Sequence, residues 1–243
     1  MDCKILKEYY DSKRRYGAPK IFKVLQKKGE TASLKRIQRR MAALGIKSVV
    51  IKKYKPVKIE KNVEQKENIL NQDFSTTSIN QKWSTDITYI HTEKEGWTYL
   101  ASVEDLYSRK IIGWAFSKNI NTELAIRALK NAALNVKNTE GIILQTDLGC
   151  QYTSNLFEST LANLKIRHSY SKKGYPYDNS YIESFHSVLK KEEVNLRKYK
   201  NSKSAYNAIF EYIESWYNRK RIHSSLNYKT PQDVYSECEN LAA

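Results

Sequence analysis

Between residues 81 and 146 the apolar residues change period twice, and this change restricts the chain to few architectures. Trp83, Thr85, Ile87 and Tyr89 alternate with Ser84, Asp86 and Thr88, the period of two that marks a strand. Glu95-Gly96 reads as a turn, Trp97–Val103 as a second strand and Lys110–Phe116 as a third. From Thr122, a capping residue, to about Leu134 the period becomes helical, with Leu124, Ala125, Ala128, Leu129 and Ala132 on one side. Gly141 restarts the chain, Ile142-Ile143-Leu144 reads as a short buried strand, and Lys165–Tyr170 is a further strand candidate, with room for a helix between them. Three strands in succession imply an antiparallel meander, and a strand after a helix implies a parallel crossover. The fold class is therefore α/β, a mixed sheet flanked by helices.

The rest of the chain is mostly helical. Ile5, Leu6 and Tyr9 share a helical face; Pro19 opens a second helix with Ile21, Phe22 and Leu25; Ser33 caps a third with Ile37, Met41 and Leu44. Gly29 and Gly45 follow the second and third as stops. The third helix also carries Lys35, Arg36, Arg39 and Arg40, so residues 1–48 form a basic helical unit of helix-turn-helix-like pattern. Residues 49–80 lack sustained periodicity and read as a linker, with a short helix near Val63–Leu70. Residues 81–197 form the mixed-sheet core, closed by an irregular loop over 171–180 and a helix from about Tyr181 to Asn195. Residues 198–243 are a helical extension: one helix over about Lys203–Arg219, then a short one that Thr230-Pro231 caps.

Charge narrows the class of partner. The chain of 243 residues carries a formal +16, and 18 of its 42 Lys and Arg lie in the first 60 residues with only 5 of its 26 Asp and Glu. A second basic stretch, residues 165–229, holds 14 Lys and Arg against 6 acids, so two basic segments flank a near-neutral middle. This asymmetry points to a polyanion, most commonly nucleic acid. No apolar run reaches the roughly 18 residues of a membrane span, and no apolar segment follows the charged N-terminus, so a cytoplasmic protein without membrane partners is expected. Cys3, Cys150 and Cys238 are far apart and form no CxxC pair, which argues against a disulfide framework or zinc ribbon. The 18 tyrosines read as packing rather than as a base-stacking platform.

Three acids stand where chemistry could occur. Asp86 lies mid-strand, where a carboxylate is costly to bury; Asp147 follows the short apolar strand, at the end where open α/β sheets present ligand-binding groups; Glu183 lies in the first turn of a helix, beside the stripe Ile182, Phe185, Leu189. Brought together, three carboxylates suit a hard divalent cation, and such ions serve phosphodiester chemistry. Each acid also has a purely structural reading: Asp86 as a solvent-facing strand residue, Asp147 before Gly149 as a turn residue, and Glu183, three residues after Ser180, as a capping-box glutamate. His186 makes an ExxH spacing with Glu183, but no second such pair accompanies it, and His91, His168 and His223 show no ligand spacing.

The wording around these acids, WSTDITYI, QTDLGCQYTS and GYPYDNSYIESFHSVLKKE, resembles the DDE transposases of bacterial insertion sequences, specifically the open-reading-frame-B type of the insertion-sequence-three family, relatives of retroviral integrases. The 35 residues between Asp147 and Glu183 match that family's spacing, as do Lys190 seven places after Glu183, the tail YNRKRIHSSLNYKTPQDVY and the N-terminal YGAPKIFKVLQKKG. The resemblance implies an RNase H-like core with Asp86, Asp147 and Glu183 as catalytic metal ligands for Mg2+, replaceable by Mn2+. It also implies hydrolysis at DNA ends and strand transfer by the freed 3′-hydroxyls. It assigns Lys190 to DNA-end binding. Lys172 and Lys173 are placed to meet the DNA backbone, and Arg36, Arg39 and Arg40 to reach a groove. Expected partners are double-stranded DNA at the element ends and target, a first-frame transposase protein or a frameshift fusion with it, and further copies of the chain. A second reading is a non-catalytic DNA-binding regulator that keeps the fold. Two positions depart from the family: Gln145-Thr146 stands where His-Ser is usual, and Asn227 where Gly is common. Asn tolerates the left-handed conformation, so that turn is expected to hold.

Overall fold

Each N-terminal helix buries one stripe, and this assembles the first of two compact units, Met1–Tyr54 and Lys55–Ala243. A computed structural model describes residues 1–49, 67–172 and 176–241. In the first unit α1 (Asp2–Asp11), α2 (Ala18–Lys27) and α3 (Leu34–Ala43) pack through Ile5 and Tyr9, Ile21 and Leu25, Ile37 and Met41. These residues recur four apart, so each helix offers one sealed line to the others. Pro19 lies in the first turn of α2, where its missing N–H costs nothing, and the Ser33 side chain caps α3 by accepting from the Arg36 N–H.

The second unit is built on a five-stranded sheet. Its elements run β1 (Lys82–Thr92), β2 (Gly96–Asp105), β3 (Ile111–Ser117), α4 (Thr122–Leu134), β4 (Ile143–Thr146), α5 (Asn155–Asn163), β5 (Arg167–Tyr170) and α6 (Ser180–Glu192), then α7 (Ser202–Phe210) and α8 (Pro231–Leu241). The strand order is β3-β2-β1-β4-β5. The β1–β2 and β2–β3 pairs are antiparallel, while β1–β4 and β4–β5 are parallel. The meander and the crossover legible in the sequence are both present. The cap of α4 is Asn121, whose side chain accepts from the Leu124 N–H, one residue ahead of Thr122. Asn121 has the extended backbone that a cap requires. Residues 63–66 of the helix expected near Val63–Leu70 lie outside the described residues, and 67–70 are not helical.

The two faces of the sheet differ in chemistry. Trp83, Ala101, Val103 and Leu144 form the main core with Leu124, Ala128 and Leu129 of α4 and Phe157 and Leu161 of α5. Gly113 permits α4 to lie against β3: a Cβ there would stand 2.3 Å from the Ala132 backbone nitrogen. The opposite face presents Ser84, Thr88, Ser102 and Glu104, and all four are buried. α6 packs against β1 and β2, with Asn179 and His186 touching Ser84 and Ser102, so the polar half of the alternation meets protein rather than water.

The C-terminal extension is anchored by polar contacts. α7 continues as a π-helical segment, Glu211–Tyr217, within the range that the sequence predicts for one helix. Glu192 at the end of α6 accepts from Arg221 Nε and Nη2, Tyr212 OH and Trp216 Nε1. Burial works against the Arg221 cation, yet Glu192 outweighs it and holds the guanidinium charged. Asn227 turns left-handed at φ 51°, as its residue type allows, and Thr230 and Asp233 cap α8 reciprocally. Tyr152, Tyr212, Tyr217 and Tyr235 are among the largest fully buried side chains, in keeping with packing as the role of many tyrosines.

Candidate active site

Strand register brings two of the acids side by side. Lys82, Trp83 and Ser84 of β1 pair with Ile143, Leu144 and Gln145 of β4. Two residues further along each chain come Asp86 and Asp147. Asp86 keeps a quarter of its side chain exposed (24%), accepts from the Ile87 N–H at 2.7 Å and lies 3.4 Å from His186 Nδ1. Asp147 stands just past the end of β4 and accepts from the Gly149 N–H at 2.9 Å. A Cβ on Gly149 would come within 2.9 Å of that same carboxylate oxygen. Asp147 is thus a turn residue as well as a site candidate, because its Oδ1 closes the turn.

Electrostatics bring in the third acid. The Asp147 carboxyl is pushed up to about 6, first by burial, then by the charge on Asp86, with Glu183 adding to it and the Gly149 N–H opposing. Glu183 lies exposed in the first turn of α6. Its capping-box explanation does not hold: the helix starts at Ser180, the N-cap is Asn179, and that side chain makes no cap hydrogen bond. Asn179 Oδ1 instead accepts from Ser84 Oγ at 3.0 Å. Among the described residues no three carboxylate, histidine or cysteine side chains are drawn together closely enough to enclose a metal ion. The three acids share a field, not a closed cage.

Two neighbours of the acids were not assigned to the site from sequence. His186, one turn after Glu183, is buried between Asp86 and Ser102, with Nε2 3.4 Å from the serine hydroxyl. The ExxH spacing was its only signal, and that spacing speaks for helix facing, not for which strand is faced. Tyr152 lies buried with its hydroxyl 3.3 Å from Thr85 Oγ1. Burial, then Asp86, and also Asp147 push its phenol well up, so it stays neutral beside the acids. Behind Asp147, Thr146 Oγ1 donates to the Asp147 carbonyl and lies 2.9 Å from His168 Nε2. Gln145 is buried and donates to Ser171 Oγ at 3.0 Å, so this departure from the family pattern braces the following loop.

The basic candidates fall in different settings. Lys190 is half-buried in the last turn of α6. Lys172 is exposed, with Nζ donating to Asn71 Oδ1 at 3.2 Å; Lys173 lies outside the described residues. Arg36 and Arg39 are exposed on α3. Arg40 is already engaged: its Nε donates to Asp2 Oδ1 at 2.7 Å and Nη2 to the other carboxylate oxygen, which braces α3 against α1.

Comparison with known proteins agrees with this architecture. Residues 77–176 and 164–231 match families described as "Integrase core domain", and residues 1–54 match an "HTH-like domain". The chain is 39% identical over 231 residues to the transposase for insertion sequence element IS904 of Lactococcus lactis subsp. lactis, covering 95% of this chain and 91% of that protein. It is 37% identical over 242 residues to transposase InsF for insertion sequence IS3A of Escherichia coli, covering 99% and 83%. A chain in the cryoEM structure of the simian T-cell lymphotropic virus intasome in complex with PP2A regulatory subunit B56 gamma shares the fold, with a TM-score of 0.51 and 16% identity over 95% of this chain and 74% of that one.

Proposed function

Because this chain belongs to the insertion-sequence-three family of transposases with an integrase core, we propose that Asp86, Asp147 and Glu183 together hold the divalent cations of its DNA chemistry. The protein is a DNA transposase, an enzyme of the DDE/integrase class. What supports the assignment of the three acids is the state of Asp147, whose carboxyl is held near 6 partly because the charges of Asp86 and Glu183 reach it. Anions gathered at some desolvation cost favour a cation, and a donor set of carboxylate oxygens alone fits Mg2+, with Mn2+ able to take its place. Bound there, the metal would activate the attacking oxygen and stabilise the leaving oxygen of a phosphodiester.

The chain's own residues prepare that chemistry. Asp86 presents its carboxylate from a strand fixed on both sides by neighbours, and Gly149 allows the Asp147 carboxylate to fold back on its turn. Hydrolysis at the element ends frees 3′-hydroxyls, which attack a second phosphodiester without a covalent enzyme intermediate. Lys190, with Lys172 and Lys173 of the loop before α6, binds the DNA backbone. In the N-terminal unit Arg36 and Arg39 reach the duplex, with Arg40 keeping α3 in place through Asp2. A first-frame transposase protein, or a fusion with it, contributes end recognition, and copies of the chain act together on paired ends.

The test is strand cleavage and joining on a branched oligonucleotide with Mn2+. Wild type is active, whereas Asp147→Asn and Glu183→Gln fall to background while still retaining DNA in a binding assay. Cleavage by Glu183→Gln at the wild-type rate would remove that residue from the set.

A further inference from the structure

Residues 67–74 precede the stretch matched as integrase core, which begins at residue 77, yet they touch the helix that carries Glu183 at Tyr181 and the short turn leading into it at Asp178. We propose that this segment is a strap that positions Glu183, an inference that rests on the assignment of Glu183 as a metal ligand.

The strap is seated along β5. The Tyr170 N–H donates to the Glu67 carbonyl at 3.0 Å, the Leu70 N–H donates to Ser169 Oγ at 3.0 Å, and Leu70 is buried. From that seat it makes its first contact: Asn68 Nδ2 donates to Asp178 Oδ2 at 2.8 Å. The same oxygen accepts from the Lys172 N–H at 2.7 Å. Asp178, 1% exposed, thereby ties the residue that leaves β5, the strap and the approach to α6 to one another. The second contact is an aromatic stack: the Phe74 ring lies on Tyr181, with centroids 5.0 Å apart and planes at 28°. The Arg109 guanidinium lies 3.7 Å from the same tyrosine ring. Tyr181 is two residues before Glu183.

These contacts matter because the first turn of α6 has no side-chain cap of its own and is held by contacts from other elements. Its N-cap residue, Asn179, gives its side chain to Ser84 and makes no cap hydrogen bond. A helix start without a side-chain cap frays unless tertiary contacts hold it. Asn68 supplies one such contact just before the turn and Phe74 another within it. Glu183 is exposed, and the backbone of this turn sets where its side chain starts. The strap residues touch neither DNA nor metal in this scheme; they are positioning residues.

The experiment uses the full chain with Phe74→Ala, Phe74→Tyr, Asn68→Asp and, as reference, Glu183→Gln. Amide hydrogen exchange is followed without metal, and kcat, KM for a branched oligonucleotide and the thermal midpoint are measured in parallel. Phe74→Ala is expected to speed exchange over 178–184 by about tenfold or more and to lower kcat by roughly tenfold to a hundredfold, since small misplacements of a reacting group carry that scale of loss. KM stays within about threefold and Phe74→Tyr restores both readouts. Asn68→Asp keeps the side-chain size but sets a carboxylate against Asp178, and is expected to move exchange and kcat in the same direction even if Phe74→Ala fails to fold. Wild-type exchange over 178–184 in Asn68→Asp overturns the strap, as does a loss carried by KM alone or accelerated exchange spread evenly over the core. Exchange does not depend on Glu183 being a ligand. Full activity in Glu183→Gln would therefore defeat the site assignment separately.

Discussion

Burial and two neighbouring carboxylates act on Asp147 in the same direction, and its ionisation carries a cost to the metal-free protein. Its carboxyl is raised from 3.8 to about 6. A raised acid favours the folded state fully below the unfolded value, and that advantage is lost as pH climbs from about 4 through 6. Above pH 6 the penalty is on the order of 2–3 kcal/mol. Asp147→Asn is thus expected to raise the thermal midpoint of metal-free protein at pH 7.5, with the gain fading below pH 5. Cation binding displaces the same proton, so apparent Mn2+ affinity falls about tenfold per unit below pH 6. Calorimetric titration from pH 5 to 7.5 reads this, and a flat profile would take Asp147 out of the ligand set. Glu104 offers a second case away from the acids: it is fully buried, one of its oxygens has no hydrogen-bond partner among the described residues, and burial, with Asp105 adding and Arg109 opposing, pushes it up to about 8. Its stabilising neutral form is lost as pH rises toward 8, so Glu104→Gln stabilises at pH 8.5 and changes little at pH 4. Equal denaturation midpoints at pH 8.5 would contradict this. The positions of the acids were legible in the sequence; these ionisation states were not, because each depends on charges brought from distant parts of the chain.

At the scale of elements, the periodic segments were the readable part. β2, β3 and α4 fall within a residue or two of their expected places, and β1 runs three residues past the Tyr89 that ends its alternation, because period two and period 3.6 are local properties of the chain. The buried polar face was not readable: an alternation of Ser84, Asp86 and Thr88 looks the same whether water or α6 covers it. The tight seat of α4 gives a direct test. Gly113→Ala sets a Cβ against the Ala132 backbone, which side-chain movement cannot relieve, and is expected to cost about 1–3 kcal/mol or more in chemical denaturation. An unchanged midpoint would mean that α4 shifts freely on β3. The Glu192–Arg221 pair makes a second. Glu192→Ala leaves a buried guanidinium without its carboxylate and is expected to cost roughly 3–5 kcal/mol, whereas Glu192→Ala with Arg221→Met recovers part of that. The double variant being no better than the single would deny the coupling.

The whole molecule combines a strongly basic N-terminal unit with an integrase-type core that carries the three acids. Net charge alone pointed to nucleic acid, and the relatives make that partner DNA. How the basic residues divide their work emerged only from contacts. Arg36 and Arg39 remain exposed, while Arg40 pairs with Asp2. Arg36→Ala with Arg39→Ala is expected to weaken DNA binding and to reduce the slope of log affinity against log salt by about 2. Arg40→Ala is expected to lower the stability of the N-terminal unit as well. A salt slope unchanged in the double variant would place α3 away from the phosphates.

The sequence by itself determined the order and kind of the strands and the main helices, the three acids with their spacing, the asymmetry of charge and the family. All of these are carried by residues near one another in the chain or by wording around single positions. Tertiary structure alone decided that Asp86 and Asp147 end up side by side, that His186 and Tyr152 stand beside them, that Asn179 serves Ser84 instead of its own helix, and that residues 67–74 brace the turn bearing Glu183. The physical reason is common to all four. Each contact joins segments tens of residues apart, and which segments meet is set by the order of strands in the sheet and the face that each helix covers, neither of which any local period encodes.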